Sequence, residues 1–310
     1  MNNNMPLVTA VILSYNRKYD TLFTVKKLLE LKQKEYNNLE IIVVDNASSD
    51  ETAIFLQRQF NNTIKIIPLS ENIGISGWNI GIMSGSGKYF LLLDDDSHVD
   101  KGLEHAIKYL ENNPDVGVLA LKIDGGPFTL KNLKHLQDFI GFISCGVIIR
   151  KDVINKVGYF ADWIFIYSNE WEYSLRVLDS GYKIKYFEDT TVIHRASTKN
   201  RAFRRLRVFT VRNELGIAYT RFSFKNFITI APQILFRNAL GYRKEGIKTV
   251  IYCIEGFLKF LSLVPRLKRR PVNILVQNIY MEDFYTYYHI LVLKLFEKFK
   301  NILAHIINIH

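Results

Sequence analysis

The sequence predicts an α/β protein with a mostly parallel central sheet, followed by a helical C-terminal extension. Three observations carry this. Up to residue 123, short apolar runs alternate with stretches of helical period, the pattern of βαβ units. One run, Tyr89-Phe90-Leu91-Leu92-Leu93, is continuously apolar, too short for a stable helix and preceded by Gly85-Ser86-Gly87; such a run reads as a strand buried on both faces. From about Phe203 onward helical patterns dominate.

In order, Val8 to Leu13 is the first buried strand and stops at Ser14-Tyr15-Asn16-Arg17. Asp20 is expected to cap the next helix, which sets Leu22, Val25, Leu28 and Leu29 on one face. Leu39 to Val44 is the second strand and ends at Asp45; Ser49 or Asp50 caps the helix that holds Ile54, Phe55 and Leu56. Ile64 to Ile67 is the third strand. Asn72 to Met83 is a glycine-punctuated loop running into a helix, and Leu91 to Leu93 is the fourth strand. Leu103 to Leu110 is helical and Val116 to Ile123 is the fifth strand. Gly125-Gly126-Pro127 marks a break. Then come a strand from Ile143 to Ile149, a short helix from Lys151 to Val157, and a helix from Glu170 to Leu178 closed by Gly181. Lys183 to Phe187 and Thr191 to His194 are short strands. Residues 1–200 are expected to form the α/β unit and residues 201–310 the basic, mainly helical part.

The 310-residue chain is 48% apolar, which excludes global disorder. Cys145 and Cys253 stand far apart and give neither a disulfide framework nor zinc spacing, as expected in a reducing cytoplasm. The start, Met1-Asn2-Asn3-Asn4-Met5-Pro6, lacks the blocks of a signal peptide. The net charge of +11 is uneven. From Arg195 on there are 21 Lys and Arg against 6 Asp and Glu, whereas the part before is slightly acidic. No stretch of 18 or more residues is free of charge, so a spanning helix is not expected. Phe227 to Phe236 is interrupted by Pro232, and Arg266-Leu267-Lys268-Arg269-Arg270 is a basic block. Tyr285 to Ile309 mixes aromatics, aliphatics and lysines. Such segments suit the plane of an anionic membrane surface, packing on the α/β unit, or a homodimer contact.

The chemistry is concentrated at strand ends. In open α/β sheets the ligand crevice lies beyond the carboxyl ends of the strands, where this chain carries Asp94-Asp95-Asp96. Two such carboxylates ~4 Å apart repel by about 4 kcal/mol at an effective dielectric near 20. A hard cation such as Mg²⁺ or Mn²⁺ relieves that repulsion. Asp45 ends the second strand and is placed to accept hydrogen bonds from a base or ribose, whereas Asp50 reads as a cap. The glycines of Asn72-Ile73-Gly74-Ile75-Ser76-Gly77-Trp78-Asn79 let backbone approach a ligand.

Taken together, these pieces resemble the family 2 glycosyltransferases, which have the GT-A fold, with rhamnosyltransferase-like members the nearest pattern. The resemblance rests on Val11 to Arg17, on Val43-Val44-Asp45-Asn46-Ala47-Ser48-Ser49-Asp50, on Asn72 to Asn79, and on Leu93-Asp94-Asp95-Asp96 as the DxD motif. It continues through Cys145-Gly146 to Arg150, Val157-Gly158-Tyr159-Phe160, Glu170 to Arg176 with Gly181-Tyr182, and Val192-Ile193-His194, covering about residues 7 to 200. It implies an inverting, metal-dependent transfer of one sugar from a nucleoside diphosphate, a UDP- or dTDP-sugar, to a hydroxyl of a saccharide or lipid-linked acceptor. Bacterial surface polysaccharide synthesis, at the inner face of the cell membrane, is the expected setting. The nucleotide sugar would meet Ser14, Asn16, Arg17, Asp45, Asn72, Gly77, Asn79, Asp94 and Asp95. Asp96, with Asp94 and His194, would hold Mg²⁺ or Mn²⁺.

Inversion needs a carboxylate to take the acceptor's proton. The family carries Glu then Asp at the start of the helix leading to Arg176. Here Asn169 replaces the Glu and Glu170 the Asp. Glu170 is therefore the expected base and Glu172 the second choice; two residues apart on a helix, they face different ways. Arg201, Arg204, Arg205 and Arg207 are further candidates to cover the diphosphate. A processive synthase is not expected, because Gln233 to Asn238 does not give the QxxRW motif. A sugar nucleotidyltransferase would want a glycine-rich phosphate loop where this chain has Ser14-Tyr15-Asn16-Arg17. A basic membrane or nucleic-acid binder on a degenerate fold is the non-enzymatic alternative, and nucleic acid is not an expected partner.

Overall fold

The computed structural model describes residues 7–125, 141–196, 203–241 and 246–281. β1 (Val8–Ser14), β2 (Leu39–Asp45), β3 (Lys65–Pro68) and β4 (Tyr89–Asp94) form a parallel half-sheet in the order β3-β2-β1-β4. The chain starts on β1 and winds outward through α1 (Lys18–Lys34) and α2 (Thr52–Phe60) to the β3 edge. It then crosses by α3 (Ser76–Ser84) to β4 on the other side of β1. Ser14 faces Asp45 across one pairing and Leu13 faces Asp94 across the other. This reversal of winding opens a crevice beyond the ends of β1 and β4.

The second half of the sheet is mixed. β5 (Ser97–Lys101), β6 (Val116–Asp124), β7 (Val147–Arg150) and β8 (Lys183–His194) extend it in the order β4-β7-β6-β8-β5. β7 is antiparallel to both neighbours and β5 is antiparallel to β8, whereas β6 and β8 run parallel. The two short strands expected between Lys183 and His194 are one strand with a register shift against β6. The run from Ile143 begins with a 3₁₀ turn, Ser144–Gly146, before β7 starts. β5 has no counterpart in the apolar pattern.

Alternation along the strands feeds two cores. Ile12, Val43, Leu91 and Leu93 pack under α1, α2 and α4 (Leu103–Asn112). Val11, Val44, Phe90 and Leu92 pack on the opposite face, under α3, α5 (Lys151–Val157) and α6 (Asn169–Asp179). That second core continues without interruption into α7 (Phe203–Arg221), α8 (Phe224–Gly241) and α9 (Ile247–Leu263), through Val211, Leu215, Ile230, Ile234, Cys253 and Phe260. The described part of the C-terminal region is thus packed on the α/β unit, with α7 seated against α6.

Two local expectations are corrected. Asp20 lies inside the first turn of α1 and caps nothing; instead the carboxylate of Asp50, from the loop before α2, accepts from Lys18 N–H at 3.2 Å. Pro232 does not end a helix, since α8 runs through it. The buried side chains of Ile230 and Ile234 flank the proline, and their packing offsets the hydrogen bond it removes.

Candidate active site

The crevice has a volume of about 560 Å³, within the range of small-molecule sites. Its floor is the ends of β1 and β4, and its walls are the 72–75 loop, the 143–145 turn, the 165–170 segment and the start of α7. Asn46, directly after β2, builds the 72–75 wall: its amide donates to Gly74 O at 3.0 Å and accepts from Ile73 N–H at 2.9 Å. Gly74 has φ +63°, and a Cβ there would run into the carbonyl oxygen of Phe165, which already accepts from Ile75 N–H. Gly74→Ala is therefore expected to destabilise the chain by roughly 1–3 kcal/mol, read as a lower urea midpoint. Opposite, Asn213 of α7 donates to the carbonyls of Ile166 and Tyr167 (2.7 and 2.8 Å), and Arg212 donates to that of Trp163 (2.7 Å). The Val211-Arg212-Asn213 triplet thus holds the 163–167 wall in place.

Asp94, Asp95 and Asp96 occupy the β4–β5 turn, pinned by Ser97 Oγ, which accepts from Asp94 N–H. Asp94 faces the crevice. Burial, then the neighbouring Asp96, pushes its carboxyl up to about 6. Asp95 is pushed up to about 7, again mainly by burial, although Arg17 Nη1 is 2.9 Å from its Oδ1 and opposes the rise. Asp96 does not reach the crevice wall. It is fully buried, with Arg17 Nη1 3.1 Å from Oδ2 and His194 Nε2 3.3 Å from Oδ1. His194 itself, at the end of β8, lines the crevice. In this conformation Asp94 is the carboxylate that lines the crevice with His194, and Asp96 lies beside the histidine. A third donor joins them. Asp94, Cys145 and His194 each offer a ligand atom, all within 4.8 Å of one another. Burial, followed by Asp94, Asp96 and Glu170, pushes the Cys145 thiol well above its usual pKa. Three metal-binding donor atoms this close together fit a divalent cation.

The two candidate bases part company. Glu170 lines the crevice, and burial raises its carboxyl above the ordinary range. Ser144 Oγ is 2.8 Å from Glu170 Oε1 and 3.0 Å from Asn169 Nδ2. An amide NH₂ only donates, so Ser144 spends its single proton on Glu170 Oε1. Glu170 Oε2 is left as the oxygen for chemistry. Asn169, the residue that departs from the family pattern, thereby orients the carboxylate beside it. Glu172 is fully buried and does not line the crevice. Arg176 grips it from α6 (Nε 3.0 Å, Nη2 2.8 Å) and Arg221 from the end of α7 (Nε 2.8 Å, Nη2 2.5 Å). It is a structural ion-pair centre.

Of the other expected residues, Ser14, Arg17 and Asn72 line the crevice. Four do not. Asp45 is turned onto α2, accepting from Ser48 N–H and Ala53 N–H at 3.1 Å each. Asn16 has φ +56° and accepts from Ser49 N–H at 2.7 Å, holding the two loops together. Gly77 lets α3 sit against Leu13, whose Cδ1 a Cβ would strike. Asn79 makes paired hydrogen bonds to the backbone of Phe160 (2.9 and 3.0 Å). Of the arginines, Arg205 lines the crevice, Arg204 pairs with Glu255 of α9 at 2.8 Å, Arg207 stacks on Phe203, and Arg201 lies outside the described residues. Missed from sequence were Tyr15, Trp78, Ser144 and the 165–167 wall, none of which announces itself by residue type.

The chain is thus a mixed α/β sheet whose strand-end crevice carries acidic and histidine donors together with the Glu170 carboxylate. Residues 9–209 match the family described as Glycosyl transferase family 2, and the chain belongs to it. The structure of the mannosyltransferase PcManGT from Pyrobaculum calidifontis, in complex with GDP-Man and Mn²⁺, superposes with TM-score 0.59 at 15% identity over 84% of this chain and 88% of that one. S. aureus TarS 1-349 in complex with UDP-GlcNAc gives TM-score 0.59 at 16% identity, covering 84% and 82%. These confirm the GT-A fold. Among curated relatives, an uncharacterized glycosyltransferase of Haemophilus influenzae is 34% identical over 117 residues, 36% of this chain and 35% of the relative. The poly-beta-1,6-N-acetyl-D-glucosamine synthase of Staphylococcus aureus is 28% identical over 203 residues, 58% and 47%. The matches span from about a third to a half of the length of these two relatives.

Proposed function

We propose that this protein is an inverting, metal-dependent glycosyltransferase that moves one sugar from a UDP- or dTDP-sugar to a hydroxyl of a saccharide or lipid-linked acceptor in bacterial surface polysaccharide synthesis. The observation that carries it is the set of groups that one crevice brings together. Asp94 and His194 line it, and so does Glu170, one oxygen of which is held by Ser144. The neighbours in complex with GDP-Man and UDP-GlcNAc support a nucleotide-sugar donor.

Asp94 and His194 would hold Mg²⁺ or Mn²⁺, whose charge stabilises the departing diphosphate. Arg17 keeps Asp95 and Asp96 in place beneath them. Tyr15, Asn72 and the 74–75 backbone offer the surface for the nucleoside, and Arg205 reaches the crevice from α7. Glu170 takes the acceptor hydroxyl's proton on Oε2 as the hydroxyl oxygen attacks the sugar carbon from the side opposite the diphosphate, which leaves.

The test is a screen of nucleotide sugars for thermal stabilisation, with and without Mn²⁺. A donor at a hundred times its Kd adds about 2.7 kcal/mol to the folded state. One class of nucleotide sugar is expected to raise the melting temperature only with Mn²⁺, and Asp94→Ala to abolish the rise. Stabilisation by none of them would refute the reading.

We further propose that the acceptor lies at an anionic membrane surface on the cytoplasmic side. Among the described residues no helix is long and apolar enough to cross a membrane. α9 nevertheless presents Ile247, Val250, Ile251, Ile254, Leu258 and Leu261 as one stripe, each 41–72% exposed, opposite its buried stripe. Exposed Lys248, Lys259, Arg266, Lys268 and Arg270 flank it. An apolar stripe with basic borders suits a helix lying in the bilayer interface. Arg269 is excluded from this role, because its guanidinium stacks on Tyr219 and donates to Phe222 O. Each basic residue near such a surface contributes about 1 kcal/mol, so reversing Lys268 and Arg270 together is expected to lower binding to phosphatidylserine vesicles at least ~10-fold. Binding insensitive to both salt and this reversal would refute it. The tail from Tyr285 to Ile309 lies outside the described residues.

A further inference from the structure

The donors that meet in the crevice are not all of one chemical kind. Asp94 offers oxygen, His194 nitrogen and Cys145 sulfur, with the three ligand atoms within 4.8 Å of one another. Cys145 and His194 are 2% and 3% exposed, and both line the crevice. Cys145 is fixed there by the 3₁₀ turn Ser144–Gly146, just before β7. A hard cation has no use for a thiol at this position. A thiophilic cation has.

We propose that the crevice also takes a thiophilic divalent cation, of the Zn²⁺ or Cd²⁺ class, on Asp94, Cys145 and His194, and that this occupancy blocks the site. The proposal rests on the donor crevice described above but not on the sugar-transfer reading. Tetrahedral Zn²⁺ with bonds of about 2.0–2.3 Å sets its ligand atoms ~3.3–3.8 Å apart. The three ligand atoms need close by only about 1–1.5 Å to reach that spacing. Three protein ligands leave a fourth position open for water. In the binding step the Cys145 S–H bond breaks, a metal–sulfur bond forms, and one proton leaves to solvent; no electrons change hands. Because the metal must displace that proton, uptake is favoured by rising pH. Affinity of a given donor set rises strongly from Mn²⁺ to Zn²⁺, and thiolate sharpens the preference. Zn²⁺ therefore displaces a hard ion that rests on Asp94 and His194 alone.

The full chain with Co²⁺ as sole probe gives the direct readout. The wild type is expected to show a sulfur-to-cobalt charge-transfer band in the near ultraviolet at one Co²⁺ per chain, with one proton released per ion. Cys145→Ser should lose the band. Zn²⁺ added to the Mn²⁺-loaded wild type should return the free-Mn²⁺ electron paramagnetic resonance signal at stoichiometric amounts, and Cys145→Ser should require at least ~10-fold more. Absence of the band in the wild type overturns the proposal without any variant having to fold. A band that survives in Cys145→Ser and vanishes in Cys253→Ala overturns it too. Both readouts are independent of turnover, so a chain inert toward every nucleotide sugar still decides the matter.

Discussion

Glu170→Gln is expected to slow sugar transfer by about 10²–10⁴-fold while leaving the fold and donor binding intact, the range by which a positioned general base accelerates a reaction. The substitution keeps the shape of the side chain and its contact with Ser144, but removes the oxygen that takes the proton. Burial raises the Glu170 carboxyl above its usual range. A base works in its deprotonated form, so transfer should climb as pH passes upward through that raised value, and the limb should vanish in Glu170→Gln. Glu170→Asp shortens the arm and restores the residue type found elsewhere in the family, so partial activity is expected. Steady-state rates over a pH series, together with donor titration, check all three. Transfer by Glu170→Gln at the parent rate would remove Glu170 from the chemistry.

Glu172→Gln should produce the opposite signature. Its carboxylate is fully buried between two guanidiniums, whose side chains are only 12% and 15% exposed. Removing one partner of a buried ion pair leaves charge uncompensated and costs about 3–5 kcal/mol. Here the orphaned groups would be Arg176, which also donates to the carbonyls of Val157 and Tyr159, and Arg221, which joins α6 to α7. Urea unfolding at neutral pH should show a clearly lower midpoint, with chemistry in the surviving folded fraction little changed. A variant as stable as the parent but catalytically dead would move the base to Glu172.

These two glutamates also mark how far the sequence reaches. Their spacing shows that both cannot face one crevice, and the surrounding pattern favours Glu170. What sets Glu172 apart is Arg221, 49 positions away in sequence, which no local pattern connects to it. Asp45 illustrates the same limit. A carboxylate at a strand end is visible in the sequence, but whether it faces a ligand or the first turn of α2 depends on a loop geometry that residue types do not encode. Gly77 and Asn79 sit in a recognisable stretch yet serve the packing of α3 on Leu13 and the tether to Phe160. The parallel half-sheet was legible because β1, β2 and β4 are buried on both faces and read as apolar runs. β5, with the sequence Ser97-His98-Val99-Asp100-Lys101, has no such run; it is a strand because β8 lies beside it. The direction of β7 was equally hidden, since an apolar tetrapeptide looks the same parallel or antiparallel. The exposed stripe on α9 could not be told from a buried one, because period alone does not say what lies opposite.

The most direct test of the account is a proton NMR time course of transfer from the donor that stabilises the chain, following the anomeric configuration of the newly linked sugar. The account predicts a product of configuration opposite to the donor's, formed by the wild type with Mn²⁺ and almost absent in Glu170→Gln. A product that retains the donor's configuration would contradict direct displacement assisted by Glu170.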